Sequence, residues 1–425
     1  MPDLTKLLHI GHRPIGSPDN TGLTLASMFA SWPDSHLLQV YARREVGEPT
    51  VRTGGFELPG HTYPLDHWGR KILGSKTPKG FVDGMNNSVK RSEKLTWKAN
   101  LKLAAITLND IAPVLLPHSL DKVVEEFQPE VLHSLLGVAR EMAVVLAAAR
   151  RYDLPILPHY MDDWPENLHR NTPVKRLARA KVEGLHAQIL ERSPVGLAIG
   201  VKMAEEYTAR YGREFLHVGN SVPQGELLAA AEPAPGSARV LRYVGGLHLG
   251  RDRVVARIAQ GLVAVGAGDW VIEVVRPGHS AAAAARLAQD HPNVRDAGEV
   301  APDAVPSVLA TSGCLLFIES EDPGVVPFTR YSVSTKVPEY IASGRPVLCV
   351  GPEDQGSVDA FIRHAHALAV SAEADDWTKV GDFLAGLGEA RPAARTNVEA
   401  LTDEFSREAT QERLAMAARK ARDLW

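Results

Sequence analysis

Ser334, Thr335, Lys336 and Glu339 bring two hydroxyls, one ammonium and one carboxylate together in a short stretch of chain. Hydroxyls and an ammonium donate hydrogen bonds to an anion, and a carboxylate accepts them from a sugar or ribose diol. The surrounding residues, 331–351, read as a loop, a short helix and a buried strand. Ser334 and Thr335 are N-cap types, and Pro338 is tolerated only near a helix start. Gly344 suits a helix end, Pro346 blocks continuation, and P-V-L-C-V-G has the unbroken apolar character of a parallel strand covered on both faces. The run L-L-F-I at 315–318 reads the same way. The helix is therefore expected to join two parallel strands, with its N-terminus at the carboxyl edge of the sheet, where ligands of open α/β sheets bind. Free N–H groups and a partial positive charge there favour phosphate. Together these residues describe a nucleotide-sugar pocket. They also fit a capped amphipathic helix with a solvated Lys336 and Glu339.

Further candidates follow from the same reasoning. V-L-R-Y-V-G-G-L-H-L-G-R-D-R at 240–253 reads as strand, glycines, helix. Gly245 and Gly246 let a ligand approach backbone closely. Arg251 sits at a helix start, where a cation is disfavoured unless an anion offsets it. N-V-R-D-A-G-E-V-A-P-D-A-V-P predicts a short strand and a turn through Gly298 and Glu299. In the first half, L-P-I-L-P-H-Y-M-D-D-W-P-E-N runs a strand into a loop carrying His159, Asp162 and Asp163. Imidazole and carboxylates at a strand's carboxyl end can touch a ligand. Adjacent carboxylates cannot point the same way, so one of the two is expected to hold the loop. Near the start, a strand at 7–11 leads through G-S-P-D-N-T-G to a helix begun by Asn20 or Thr21, with Gly22 behind them. That loop can face a ligand in a cleft or serve as a plain connection; it is not the G-x-G-x-x-G dinucleotide fingerprint.

The 425 residues suggest two or three domains. Apolar content of 44% and charged content of 23% are those of an ordinary globular protein. The net charge of -4 does not imply nucleic-acid binding. Charge is uneven: 27 Lys+Arg meet 24 Asp+Glu in 1–220, but 20 meet 27 in 221–425. Cys314 and Cys349 fall in predicted buried strands and read as core residues of a reducing compartment. No secretory leader or membrane-spanning run is visible, so the expected location is cytoplasmic. Between His67 and Lys102, nine cations outnumber Asp83 and Glu93 and alternate with Trp68, Leu73, Leu95 and Trp97. Such a mixture can lie against an anionic membrane, and equally can form a solvated helix pair. The residues 45–66 read as loop, 232–237 as a linker, and the last thirty as one long helix.

The order of these motifs resembles the retaining GT-B glycosyltransferases of the sucrose-synthase/mannosyltransferase type. Y-V-G-G-L-H-L-G-R resembles their strand–glycine–basic segment, and N-V-R-D-A-G-E-V their base-binding strand and turn. K-V-P-E-Y-I-A-S-G-R-P-V-L resembles their donor-site helix, and V-K-M-A-E-E-Y-T-A-R-Y-G with V-G-N-S-V-P resembles the approach to their interdomain hinge. The resemblance spans nearly the whole chain and is weak between Gly47 and Asn100. It implies an α/β fold of GT-B type, with two Rossmann-like domains whose parallel sheets face across a cleft. An N-terminal acceptor-binding domain would cover 1–222, a linker 223–238, a nucleotide-sugar domain 239–395 and a C-terminal helix 396–425 that can cross back.

The resemblance also implies roles. Its phosphate-binding basic residue falls on Arg251, with Lys336 as a second charge. A further basic residue beside the first glycine falls on Gly246 and is missing here. The ribose-binding glutamate falls on Glu339; its partner eight positions earlier is Tyr331, a departure. Glu319, Glu321 or Asp322 can take over sugar contacts. The residue that meets the donor sugar from the first domain falls within 159–163. The family needs no metal and no cofactor. The expected activity is sugar transfer from a nucleotide diphosphate sugar to a glycan, a lipid-linked intermediate or a small molecule. A nucleotide-sugar epimerase of the same fold and a non-catalytic nucleotide-sugar binding subunit are the other readings.

Overall fold

In the computed structural model, which describes residues 4–17, 20–42, 55–65, 96–228, 239–248, 250–372, 377–387 and 398–425, the apolar runs become parallel strands. The chain divides into two units: 1–220 with 327–332 and 409–425, and 221–326 with 333–408. Each contains one parallel sheet.

The first sheet holds β1 (Leu7–Gly11), β2 (Leu37–Tyr41), β3 (Phe56–Glu57), β4 (Val131–Ser134), β5 (Ile156–Tyr160), β6 (Gly196–Ala198) and β7 (Phe215–His217), in the order β3-β2-β1-β4-β5-β6-β7. β3 lies inside the stretch expected to be loop; two residues pairing at a sheet edge leave no periodicity to read. The second sheet holds β8 (Val240–Val244), β9 (Val271–Val275), β10 (Val294–Gly298), β11 (Cys314–Ile318), β12 (Val347–Val350) and β13 (Ala367–Val370), in the order β10-β9-β8-β11-β12-β13. β11 and β12 are buried at every residue, as their unbroken apolar sequences require, and both cysteines are free core residues within them.

Each sheet has its own core. Leu7, Phe29, Leu157 and Leu197 anchor the first; Leu241, Ile258, Leu316 and Leu348 anchor the second. Removing one of these leucine side chains costs about 2–5 kcal/mol. The terminal segment corrects the expectation of one long helix. Helices Val398–Phe405 and Arg407–Asp423 are separated at Ser406, which forms an isolated bridge with Val222. The Val222 N–H donates to Phe405 O at 3.1 Å, and the Arg407 N–H donates to Val222 O at 2.8 Å. Backbone pairing therefore takes precedence over helical periodicity at that one residue. Most of the basic segment at 67–102 lies outside the described residues. Its described end, helix Trp97–Asp110, exposes Trp97 and Leu101. No helix among the described residues is long and apolar enough to cross a membrane.

Candidate functional site

β8 is the turning point of the second sheet. The chain leaves it for β9 and β10 on one side, then returns to build β11, β12 and β13 on the other. The carboxyl ends of β8 and β11 therefore flank the crevice where an open α/β sheet takes its ligand. β8 runs into Gly245, whose φ of +150° suits glycine. Its N–H donates to Val275 O at 2.9 Å. A Cβ at Gly245 would collide with the Lys336 ammonium, so the glycine is what admits that cation. Three more bonds hold the loop. The Val244 N–H donates to the Tyr340 hydroxyl at 3.2 Å, the Tyr243 hydroxyl to Gly246 O at 2.7 Å, and the Leu247 N–H to Ser280 Oγ at 3.0 Å.

Arg251 opens helix Arg251–Ala264 behind Gly250, whose φ is +79°. Lys336 opens helix Lys336–Ala342. The two cations sense each other across the crevice. Burial lowers the Lys336 pKa to about 8 with help from Arg251, against the pull of Glu319 and Glu339. Its ammonium also lies 5.4 Å from the centre of the Tyr243 ring. Burial raises the Glu319 carboxyl, opposed by Arg251, a hydrogen bond from Ser357 and Lys336. The Arg251 Nε is buried without a hydrogen-bond partner among the described residues. Two cations thus share one carboxylate, and an anion bound there would relieve their repulsion.

Ser334 is held by its N–H donating to Ser357 Oγ at 3.0 Å, and its own Oγ accepts weakly from the Lys336 N–H at 3.4 Å. Thr335 is the N-cap residue but makes no side-chain cap bond, because its backbone is already helical. Glu339 is exposed, yet the protein around it pushes its carboxyl up. Of the three acidic candidates after β11, the structure brings only Glu319 to this cluster. Both oxygens of Glu321 accept from the Ala372 N–H at 3.1 Å, and Asp322 Oδ1 accepts from the Gly324 N–H at 2.8 Å, so those two shape their own loops. The neighbouring edge carries Gly298, with φ +77° and its N–H donating to Asp296 Oδ1 at 2.9 Å. Glu299 Oε2 stands 3.5 Å from where a Cβ on Gly278 would be, which puts the turn after β10 beside the turn after β9.

In the first unit His159 departs from its expected place against a ligand, while Asp163 takes the loop-holding role expected of one of the two carboxylates. His159 is fully buried, and both ring nitrogens are engaged, so it offers no atom to a ligand. The Val218 carbonyl can only accept, so His159 Nε2 carries the proton in that 2.7 Å bond. His159 Nδ1 must then accept from His133 Nε2 at 3.4 Å, and His133 Nδ1 from His9 Nδ1 at 2.9 Å. One carbonyl thereby fixes three neutral tautomers. Burial lowers the pKa of His9 to about 3 and of His159 to about 4, and holds His133 well below its usual range. Asp163 is the loop-holding carboxylate. It is buried, and it accepts from the Tyr207 hydroxyl and from Arg210, both at 2.8 Å. Asp162 remains half-buried and accepts from the Ser332 hydroxyl at 2.5 Å. Asn20 begins helix Asn20–Met28, its side chain lying outside the described residues, and Thr21 is exposed. Gly22 is buried, and its carbonyl accepts from the Gly16 N–H at 3.1 Å to close the loop.

The departure at Tyr331 finds its own partner, and one buried carboxylate escaped sequence reasoning. Tyr331 belongs to the first unit, where the Arg210 guanidinium lies 5.9 Å from its ring centre. Asp110, fully buried, accepts from the Ala139 and Arg140 N–H groups at 3.1 and 3.2 Å and from His169 at 2.7 Å. It caps a helix about thirty positions away, and no local spacing could reveal that partnership.

The fold is that of the GT-B glycosyltransferases, α/β with two parallel sheets. The chain is similar to sucrose-phosphate synthase of Thermosynechococcus elongatus, with a TM-score of 0.63 and 12% identity over 99% of this chain and 100% of that one. It is similar to α,α-trehalose 6-phosphate synthase of Burkholderia multivorans, with a TM-score of 0.61 and 12% identity over 99% and 100%. It is also similar to Anabaena HepE in complex with UDP and glucose, with a TM-score of 0.55 and 12% identity over 97% and 98%. At such identities the likeness is one of fold. No protein-family model and no curated protein sequence matches the chain.

Proposed function

We propose that this chain is a glycosyltransferase that takes a sugar from a nucleoside diphosphate sugar held at the carboxyl edge of its second sheet. One observation carries the reading: Arg251, Lys336 and Glu319 gather at the turning point of that sheet beside a glycine that admits the lysine. HepE, of like fold, was solved with UDP and with UDP-glucose. When the sugar–phosphate bond breaks, negative charge grows on the departing diphosphate. Arg251 and Lys336 stabilise that charge, and fixed cations in a partly dry recess lower the barrier without reorganising. Ser334 and Thr335 add hydroxyl donors, Glu339 accepts from the ribose diol, and Glu319 accepts from the sugar. The turn at Gly298 and Glu299 meets the base. Retention at the anomeric carbon, and charge neutralisation by these cations without a metal, belong to the proposal. Among the described residues no cluster of His, Cys, Asp or Glu is arranged to hold a metal ion.

The test is a thermal-shift screen against UDP-, GDP- and dTDP-sugars, followed by turnover of any stabilising donor with and without chelator. Product NMR then reads the anomeric outcome. No stabilisation by any donor sinks the proposal. A non-catalytic nucleotide-sugar binder is the second reading, favoured by the internal engagement of His159 and Asp163. Donor binding without turnover across glycan, lipid-linked and small acceptors selects it.

A further inference from the structure

Gly246, next to the glycine that admits Lys336, is crowded by two imidazoles. The position of a Cβ there lies 2.6 Å from His248 Nδ1 and 3.3 Å from His279 Nε2. The two rings are 6.1 Å apart between centres and tilted by 51°, and both residues are exposed. Two nitrogens from separate elements thus converge on the open face of one glycine. The backbone beneath them is fixed by the Tyr243 hydroxyl on Gly246 O and by Ser280 Oγ on the Leu247 N–H. Consecutive Cα atoms are about 3.8 Å apart, so these nitrogens lie within roughly 12 Å of the Lys336 ammonium, a span a sugar diphosphate can bridge. The charged groups facing this loop are Arg251 and Arg253 from the helix behind it, Lys336, Glu319 after β11 and Glu299 after β10. Protonated imidazoles would therefore add to a cationic cluster that a bound anion offsets.

We propose that His248 and His279 form a protonation-dependent clamp on the diphosphate of the donor, supplying the positive charge that glycine at position 246 cannot. The proposal rests on the donor reading above. A protonated imidazole is a cation that donates from both ring nitrogens, so the clamp tightens as the solution becomes more acidic. Lys336, with its pKa at about 8, is already mostly charged at pH 7 and contributes little to this change. A sugar diphosphate carries no terminal phosphate that titrates in the same range, unlike free UDP or GDP.

The experiment measures the Kd of UDP-glucose and of GDP-mannose by calorimetry at pH 7.0, 6.25 and 5.5 and constant ionic strength. The variants are His248→Asn, His279→Asn, the double variant and Lys336→Ala, each checked by circular dichroism at every pH. The wild type is expected to bind about fivefold tighter at pH 5.5 than at pH 7.0, and the double variant to lose that slope. A flat wild-type profile, or an undiminished slope in a folded double variant, overturns the clamp while leaving the donor reading intact. If no UDP-, GDP- or dTDP-sugar binds, or if Lys336→Ala binds as well as wild type, the donor reading falls and the clamp falls with it. Should the double variant fail to fold, the single variants decide by whether each lowers the slope.

Discussion

Both sheets turn at their first strand, β1 in one and β8 in the other, and continue on either side of it. The polar residues near those two turning points are used in opposite ways. In the first unit the imidazoles of His9, His133 and His159 bond to one another and to a carbonyl, and Asp163 is consumed by Tyr207 and Arg210. In the second, Arg251, Lys336 and Glu319 stay half-buried, and the Arg251 Nε has no hydrogen-bond partner among the described residues. One strand order thus supports two kinds of polar chemistry. Neutral imidazoles sealed in a core report on stability, whereas two cations and a carboxylate gathered at a sheet's carboxyl edge report on a ligand.

That contrast can be broken by experiment, most forcefully through pH. The three buried imidazoles are neutral when folded and would titrate near 6.5 when unfolded, so the unfolded chain binds more protons below that value. Their contribution is complete above pH 6.5 and is lost as pH falls towards their folded values. Acidification to pH 5 is expected to remove roughly 2 kcal/mol for each of His9 and His159, with His133 acting in the same direction. Urea melts followed by first-unit tryptophans check this, and equal stability at pH 5 and 7 would show that the imidazoles are not the sealed set described. Next in size, Asp163→Ala strands the Tyr207 hydroxyl and leaves Arg210 to Glu206 alone, and is expected to cost about 2 kcal/mol. Donor affinity per folded molecule should hold, and a selective loss of affinity would return Asp163 to the functional site.

The second unit is expected to respond in the other currency of measurement. Lys336→Ala and Arg251→Ala should each lower turnover at least tenfold, about 1.4 kcal/mol of barrier, with no fall in Tm. Lys336→Ala should if anything melt higher near neutral pH, because the native site disfavours the charged lysine. A fall in Tm with turnover retained would make these cations structural. The smallest effect expected is a decline in donor affinity of about fourfold between pH 7 and 8.5, as the Lys336 ammonium loses its proton around pH 8. Loss of that decline in Lys336→Met assigns it.

Much of this architecture was legible because its signals are local. The apolar runs at β11 and β12 read as strands covered on both faces, and the glycine–arginine segment after β8 as a turn entering a helix, and the structure has both. What failed was non-local. Nothing near His159 in sequence announces His9, His133 or the Val218 carbonyl, and nothing near Asp163 announces Arg210. The break at Ser406 depended on a single bridge to Val222. The sequence by itself determined the strand periods, the glycines and the residue types able to hold a phosphate. Only the tertiary structure decided which candidates kept an unsatisfied charge, because that depends on whether distant chain arrives to supply a partner, and local spacing carries no information about such arrivals.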